Sequence, residues 1–217
     1  MRLINSTEQL VYIEAGAVRL EGSLAIPQGA TGIAIFAHGS GSSRHSPRNN
    51  YVANVLRKAG VGTLLMDLLT REEDIDYDTR FDIDLLSSRL ESATNWLKDE
   101  MPGLRIGYFG ASTGAAAALK ASASMGEIIG AIVSRGGRPD LAMDVLPAVK
   151  APALFIVGGK DEIVLELNRK AFAKLKTEKE LVVVPGATHL FEEPGALEEV
   201  ASLAAYWFKE HLKPIKD

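Results

Sequence analysis

A serine flanked by two glycines occurs in Gly110-Ala111-Ser112-Thr113-Gly114, which fits the pattern G-x-S-x-G. The pattern follows a short apolar, strand-like segment and precedes an alanine run at residues 115–118, which favours a helix. A tight turn between a strand and a helix strains the serine backbone, and larger residues at 110 or 114 would collide with the adjoining elements. We therefore predict a nucleophile elbow that holds the Ser112 hydroxyl at the edge of a sheet.

A serine hydroxyl becomes a nucleophile when an imidazole accepts its proton and a carboxylate orients that imidazole. Asp161 follows a later predicted strand, 49 residues after Ser112, and His189 follows the next strand, 28 residues after Asp161. Both positions are strand ends, where open parallel sheets collect their functional groups. We predict a triad of Ser112, Asp161 and His189, with Glu162 and Asp140 as alternative carboxylates.

The chain has four histidines, and the positions of three of them predict different roles. His211 lies near the end of the last predicted helix, where an interaction with the helix dipole accounts for it. His38 begins a glycine-rich loop, which it is expected to orient. Only His189 combines a strand-end position with the required chain order, so it is the predicted general base.

Acyl transfer also needs N–H donors for the developing oxyanion. The first candidate is the backbone N–H of Thr113, directly after the nucleophile. The second is expected from the loop after the third strand, with the Ser40 N–H preferred and the Gly41 N–H as the alternative. A phosphate cradle is the competing interpretation of this loop, but Gly39-x-Gly41-x-x-Arg44 lacks the third glycine of a dinucleotide fingerprint. We expect no cofactor.

Several arginines fall in loops at the same predicted edge, although the protein is acidic overall. Arg44, Arg135 and Arg138 are predicted to bind an anionic group of the substrate, because a guanidinium fork fits a carboxylate or a phosphate. The alternative is that the loop arginines pair with acids on the surface. The acids considered are Glu72, Glu73, Asp74, Asp76, Asp78 and Asp140.

Length and composition limit the class of protein. The chain has 217 residues, 47% hydrophobic and 24% charged, which is typical of one soluble globular domain with a full core, here taken as 1–217. The net charge of −4 and the pI near 5.7 argue against a nucleic-acid or anionic-membrane partner. The expected partner is a small-molecule substrate.

The absence of cysteine excludes disulfides, thiolate metal sites and a cysteine nucleophile. The first eight residues lack the basic-then-apolar pattern of a secretory signal, and no apolar run approaches the ~18 residues that span a bilayer. A cytoplasmic location is therefore expected.

Strand-like and helix-like segments alternate along the chain, which predicts an α/β fold with a mostly parallel sheet and helices on both faces. Leu86, Leu90, Ala93 and Leu97 form one apolar stripe on a helix over about 82–98. The first two strands, joined by a tight turn at Gly16, should pair antiparallel at one edge. The predicted strands are 11–14, 17–24, 32–37, 61–66, 105–109, 128–133, 153–157 and 181–184.

The stretch between the sixth and seventh strands is too short for a cap domain. Only residues 134–150 separate these strands, and we predict one short helix there, over about 140–149. The site should therefore be shallow and open.

Four segments resemble the α/β-hydrolase superfamily, and within it the dienelactone-hydrolase-like group of small proteins without a cap domain. They are HGSGSSRHSPRN (38–49), GYFGASTGA (107–115), SRGGRPD (134–140) and PGATHLFEEP (185–194). The resemblance covers nearly the whole chain and implies a Ser112–Asp161–His189 triad that hydrolyses a carboxylic ester without a metal. Dienelactone hydrolases proper have a cysteine nucleophile, so the serine here favours a general carboxylesterase.

The predicted function is hydrolysis of a small ester through an acyl-enzyme, with water resolving the intermediate. The same triad could pass the acyl group to an alcohol or amine, which leaves an acyltransferase as one alternative. A non-catalytic binding module on the same fold is another, because fold does not determine function.

Overall fold

The computed structural model describes residues 8–214, and its centre is an eight-stranded mixed sheet, as predicted. Residues 1–7, on which the expectation about a secretory signal depends, lie outside this range. The strands are β1 (Gln9–Ala15), β2 (Val18–Ala25), β3 (Gly32–Ala37), β4 (Gly62–Met66), β5 (Arg105–Ala111), β6 (Ile129–Arg135), β7 (Ala153–Gly158) and β8 (Lys179–Val184).

The strand order in the sheet is β1-β2-β4-β3-β5-β6-β7-β8. The prediction of an antiparallel pair at one edge is confirmed, since β1 pairs antiparallel with β2 around the turn at Gly16. β2 also pairs antiparallel with β4, and every pairing from β4 to β8 is parallel. The carboxyl ends of six parallel strands therefore share one edge of the sheet.

Five α-helices in the described residues cover the sheet on both faces, as predicted. They are α1 (Pro47–Lys58), α2 (Ile83–Glu100), α3 (Thr113–Met125), α4 (Glu162–Lys174) and α5 (Ala196–His211). α1 and α5 pack over one face, and α2 and α3 pack over the other, where the predicted stripe from Leu86 to Leu97 is buried. None of the helices within residues 8–214 is both long enough and apolar enough to span a membrane.

β5 and β6 both run two residues further than predicted, to Ala111 and Arg135. The pairings Gly110↔Ser134 and Ala111↔Arg135 extend the ladder through residue types with weak strand preference. Pairing with a neighbouring strand outweighs the local preference of these residues. As a result, the serine follows its strand directly and lies beside the end of β6.

The prediction of one helix over 140–149 is wrong. The structure has two separate 3₁₀ turns, Pro139–Ala142 and Leu146–Ala148. Pro147 explains why no continuous helix forms, because it has no N–H to donate inside a helix and is tolerated only in a first turn, which is where the second 3₁₀ segment places it. The connection from β6 to β7 is accordingly a short path along the sheet edge.

The imidazole of His38 ties the loop after β3 to the loop after β4. Its Nδ1–H donates to the Gly39 carbonyl at 3.0 Å, and its Nε2 accepts from the Leu68 N–H at 3.1 Å. A ring that accepts at Nε2 is neutral. Burial lowers the pKa of His38, and this effect exceeds the opposing influence of the Gly39 carbonyl and the Asp67 and Asp74 carboxylates.

The buried neutral His38 gives the stability of the fold a definite pH dependence. Its pKa in the folded protein lies below the ordinary value of 6.5, so the unfolded chain binds the proton first. The free energy of unfolding should therefore fall as the pH drops below about 6.5, by about 1.4 kcal/mol per pH unit while the folded ring stays neutral. We expect His38→Gln, whose amide oxygen can accept from the Leu68 N–H, to lose this contribution in urea titrations across that range.

The exposed His45 provides the matched control, because His45→Gln makes the same substitution outside the buried loop contact. The urea titrations compare the slope of stability against pH in both variants and in the wild type. Equal slopes for wild type and His38→Gln would contradict the assignment.

Candidate active site

Ser112 occupies a strained turn between β5 and α3. Its φ of 52° and ψ of −122° are unusual for a residue with a side chain. A Cβ at Gly114 would lie 2.2 Å from the Ala37 carbonyl oxygen, and one at Gly110 would lie 2.5 Å from the Ala115 Cα. Both glycines are therefore required by close backbone approach, and the predicted strained turn between a strand and a helix is present.

His189 and Asp161 are in direct contact, with Nδ1 and Oδ2 2.6 Å apart. The Asp161 side chain is 14% exposed and the His189 side chain 38%. Asp161 precedes the first residue of α4 without capping an N–H of that helix, so its carboxylate is free for the imidazole. Of the alternative carboxylates, Asp140 is held by Arg138, and Glu162 is exposed in the first turn of α4.

The loops after β7 and β8 are pressed together, which positions this pair. The Lys160 N–H donates to the Ala187 carbonyl at 2.9 Å. A Cβ at Gly158 would lie 2.4 Å from the same carbonyl oxygen, so only glycine fits. Beyond the histidine, Phe191 is buried at a φ of 56°, which bends the chain back towards the sheet.

The segment Arg135–Arg138 links Ser112 to His189. The Ser112 N–H donates to the Arg135 carbonyl at 3.2 Å, and the Arg138 N–H donates to the Ser112 carbonyl at 3.0 Å. Gly136, at a φ of +51°, lies against His189, so that a Cβ there would be 3.4 Å from Nδ1. Sequence reasoning missed this role, although the pair Gly136-Gly137 after a buried strand was the available signal.

The two predicted oxyanion donors lie next to each other. The Ser40 N–H donates to the Thr113 Oγ1 at 3.0 Å, a contact that joins the loop after β3 to the first residue of α3. The loop passes close to Ser112, because a Cβ at Gly39 would lie 3.0 Å from the Ser112 Cβ. The hydroxyl of Thr113 as an acceptor for Ser40 was not anticipated from the sequence.

Two of the three singled-out arginines have carboxylate partners. Arg138 forms two hydrogen bonds of 2.8 Å with Asp140, one of the pairs considered in the sequence. Arg44 pairs with Asp67 and Glu21, neither of which was considered. The Arg44 side chain is 13% exposed, so these ion pairs hold its loop against β2 and β4.

Arg135 differs from both. It is buried, its Nη1 has no hydrogen-bond partner, and no carboxylate within residues 8–214 forms an ion pair with it. Burial, together with the positive charge of Arg48, lowers the pKa of Arg135 to about 10. The guanidinium therefore remains charged at neutral pH.

An open cleft of about 210 Å³ lies beside the loops after β3 and β4. Its walls include His38, Ser42, Ser43, Arg44, His45, Asp67, Leu69, Thr70, Arg71 and Asp74. Most of the lining residues are polar or charged, and the cleft adjoins the loop that carries Ser40.

Comparison with known proteins identifies relatives over most of the chain. The sequence profile described as the Dienelactone hydrolase family matches residues 20–213. A dienelactone hydrolase from Anabaena variabilis is 58% identical, with a TM-score of 0.93, over 95% of this chain and 99% of that one. An α/β serine hydrolase without lid from Xanthomonas campestris is 19% identical and shares the fold, with a TM-score of 0.80 over the full length of both chains.

A relative from Mycobacterium tuberculosis bears the name "Putative phosphoribosyl transferase". It is 56% identical over 207 residues, which are 94% of this chain and 47% of that protein. The chain thus spans about half the length of the curated relatives it matches. The fold is the α/β-hydrolase fold, and the family profile covers nearly all of the sequence: the chain belongs to the dienelactone hydrolase family.

Proposed function

We propose that the protein is a serine hydrolase that cleaves a small carboxylic ester through an acyl-enzyme intermediate. The observation that carries this proposal is the 2.6 Å contact between His189 and Asp161, beside a segment that also holds the strained Ser112. Membership of a hydrolase family supports the reaction class. We propose, in addition, that the substrate is an ester and not another acyl compound.

The Asp161 carboxylate orients the imidazole in the first step. By accepting the Nδ1–H of His189, it leaves Nε2 free to take the proton from Ser112 Oγ. The Oγ attacks the ester carbonyl, and the C–O bond to the alcohol breaks as His189 returns the proton to the leaving oxygen. Water, deprotonated by His189, then attacks the acyl-enzyme and releases the acid.

The oxyanion formed in each step is stabilised by the N–H groups of Thr113 and Ser40. Thr113 begins α3, so its N–H has no acceptor within the helix and points out of the positive helix end. The Ser40 N–H is already held at 3.0 Å from Thr113 Oγ1. We propose that the oxyanion takes the place of this hydroxyl when the carbonyl enters, since charge-assisted hydrogen bonds are roughly twice as strong as neutral ones.

The mycobacterial relative bears the name of a phosphoribosyl transferase, and this chain matches 47% of that protein. For this chain we propose hydrolase chemistry instead, because its own residues 20–213 match a hydrolase family and the Ser112 site offers acyl chemistry. An acyltransferase differs from a hydrolase only in the acceptor that attacks the acyl-enzyme, so product analysis with added alcohols or amines separates the two.

Covalent labelling tests for the activated nucleophile. We expect a fluorophosphonate probe to modify Ser112 alone, because only this hydroxyl is activated by a positioned imidazole. Peptide mass spectrometry locates the adduct, and Ser112→Ala should abolish it. A folded protein that gains no adduct, or gains one elsewhere, would contradict the hydrolase proposal and leave a binding module as the better interpretation.

Ester turnover tests the role of the carboxylate. Asp161→Asn should lower kcat for 4-nitrophenyl butyrate by about 10³–10⁴-fold, because the amide no longer selects the Nδ1–H tautomer. Asp144→Asn is the matched control, as this carboxylate is exposed and belongs to the loop between β6 and β7. A loss below tenfold in Asp161→Asn would assign the orienting role to another residue.

A further inference from the structure

Arg135 is a buried charge for which the described fold supplies no counter-ion. It is 7% exposed, and its Nη1 has no hydrogen-bond partner. Removing an unpaired charge from water is costly. Arg44 and Arg138, on neighbouring loops, have carboxylate partners, whereas Arg135 forms no ion pair with any described carboxylate and its buried Nη1 has no partner.

The charged neighbour that acts on Arg135 has the same sign. Burial lowers the pKa of Arg135, and the positive charge of Arg48, the second residue of α1, lowers it further. Side chains alternate along β6, and Val133 packs on the α1 and α5 face, so Arg135 points to that face as well. Two positive charges that interact repel each other, and a bound anion would offset this repulsion.

The surroundings of this arginine pair place it next to the catalytic groups. The Arg135 carbonyl accepts from Ser112, and its neighbour Gly136 packs against His189. Arg48 donates at 3.0 Å to Glu192, three residues beyond the histidine. That carboxylate is 65% exposed, so it can move aside, whereas Arg135 has no such partner.

We propose that Arg135 and Arg48 form a binding subsite for a phosphate group of the substrate. Two guanidinium groups match the charge of a phosphate monoester dianion, and the positive end of α1, which begins at Pro47, adds to the attraction. The proposal rests on the proposed function, since it makes the hydrolysed ester one that carries a phosphate. A carboxylate is the alternative oxyanion, which the experiment distinguishes.

Phosphate binding can be measured without catalysis, so the subsite proposal and the hydrolase proposal can fail independently of each other. In the Ser112→Ala protein, inorganic phosphate should raise Tm, by about 5 °C or more at a hundredfold excess over Kd, and isothermal titration gives the affinity. Arg135→Met should weaken phosphate binding at least tenfold, and so should Arg48→Gln. Arg169→Gln, an exposed arginine on α4, is the matched control and should bind as before.

Stability without ligand separates a binding arginine from a structural one. Burying Arg135 without a charged partner lowers the stability of the fold. Arg135→Met removes this cost, so the variant should keep or raise Tm in phosphate-free buffer. A fall in Tm with retained phosphate affinity would overturn the proposal. Glu192→Gln frees Arg48 and should tighten phosphate binding severalfold, which tests the subsite without altering the buried residue.

Titration with acetate and succinate compares the two kinds of oxyanion. Phosphate bound more tightly than either carboxylate supports the proposal, whereas equal or tighter carboxylate binding would assign the subsite to a carboxylate. No measurable binding of any of the three would overturn it, even if fluorophosphonate labels Ser112. Conversely, phosphate binding in a protein that gains no label would retain the subsite and remove the hydrolase.

Discussion

The end of β6 is the constraint on which the arrangement of the site depends. Ser112 comes from β5 and His189 follows β8, so three strand positions separate them in the sheet. The backbone of Arg135–Arg138 bridges the gap, since it bonds to both the N–H and the carbonyl of Ser112 and packs Gly136 against the imidazole. A Cβ at 136 would lie 3.2 Å from the His189 carbonyl oxygen, and the φ of +51° there is unfavourable for a residue with a side chain.

At this edge of the sheet, glycines let neighbouring backbone segments approach each other closely. Gly110 and Gly114 allow the turn at Ser112, and Gly158 lets the loops after β7 and β8 touch. Each position lacks room for even a methyl group, so main-chain packing holds Ser112, Asp161 and His189 in place. The proposed reaction requires rigid positioning of this kind, because its groups must be aligned before the substrate arrives.

The charged residues at the same edge of the sheet are of two kinds, those with a partner of opposite charge and those without one. Arg44 and Arg138 are satisfied by carboxylates and hold loops in place. His38 does the same as a neutral donor and acceptor. Arg135 alone of the three singled-out arginines is buried and unpaired, and this contrast is what distinguishes a candidate ligand contact from structural ion pairs.

The sequence by itself was enough to predict the fold class, the eight strands, the edge hairpin, and the placement of Ser112, Asp161 and His189 after strands. These follow from local signals: apolar runs, a glycine-flanked serine, and polar residues placed directly after strands. The helix predicted over 140–149 is wrong for a local reason as well, since Pro147 interrupts it.

Only the tertiary structure decided which groups contact one another. The histidine contacts Asp161, whereas Asp140 pairs with Arg138. That Arg44 pairs with Asp67 and Glu21, while Arg135 pairs with no described carboxylate, depends on strands far apart in the chain. Such pairings are determined by packing and register across the sheet, so they cannot be predicted from spacing along the sequence.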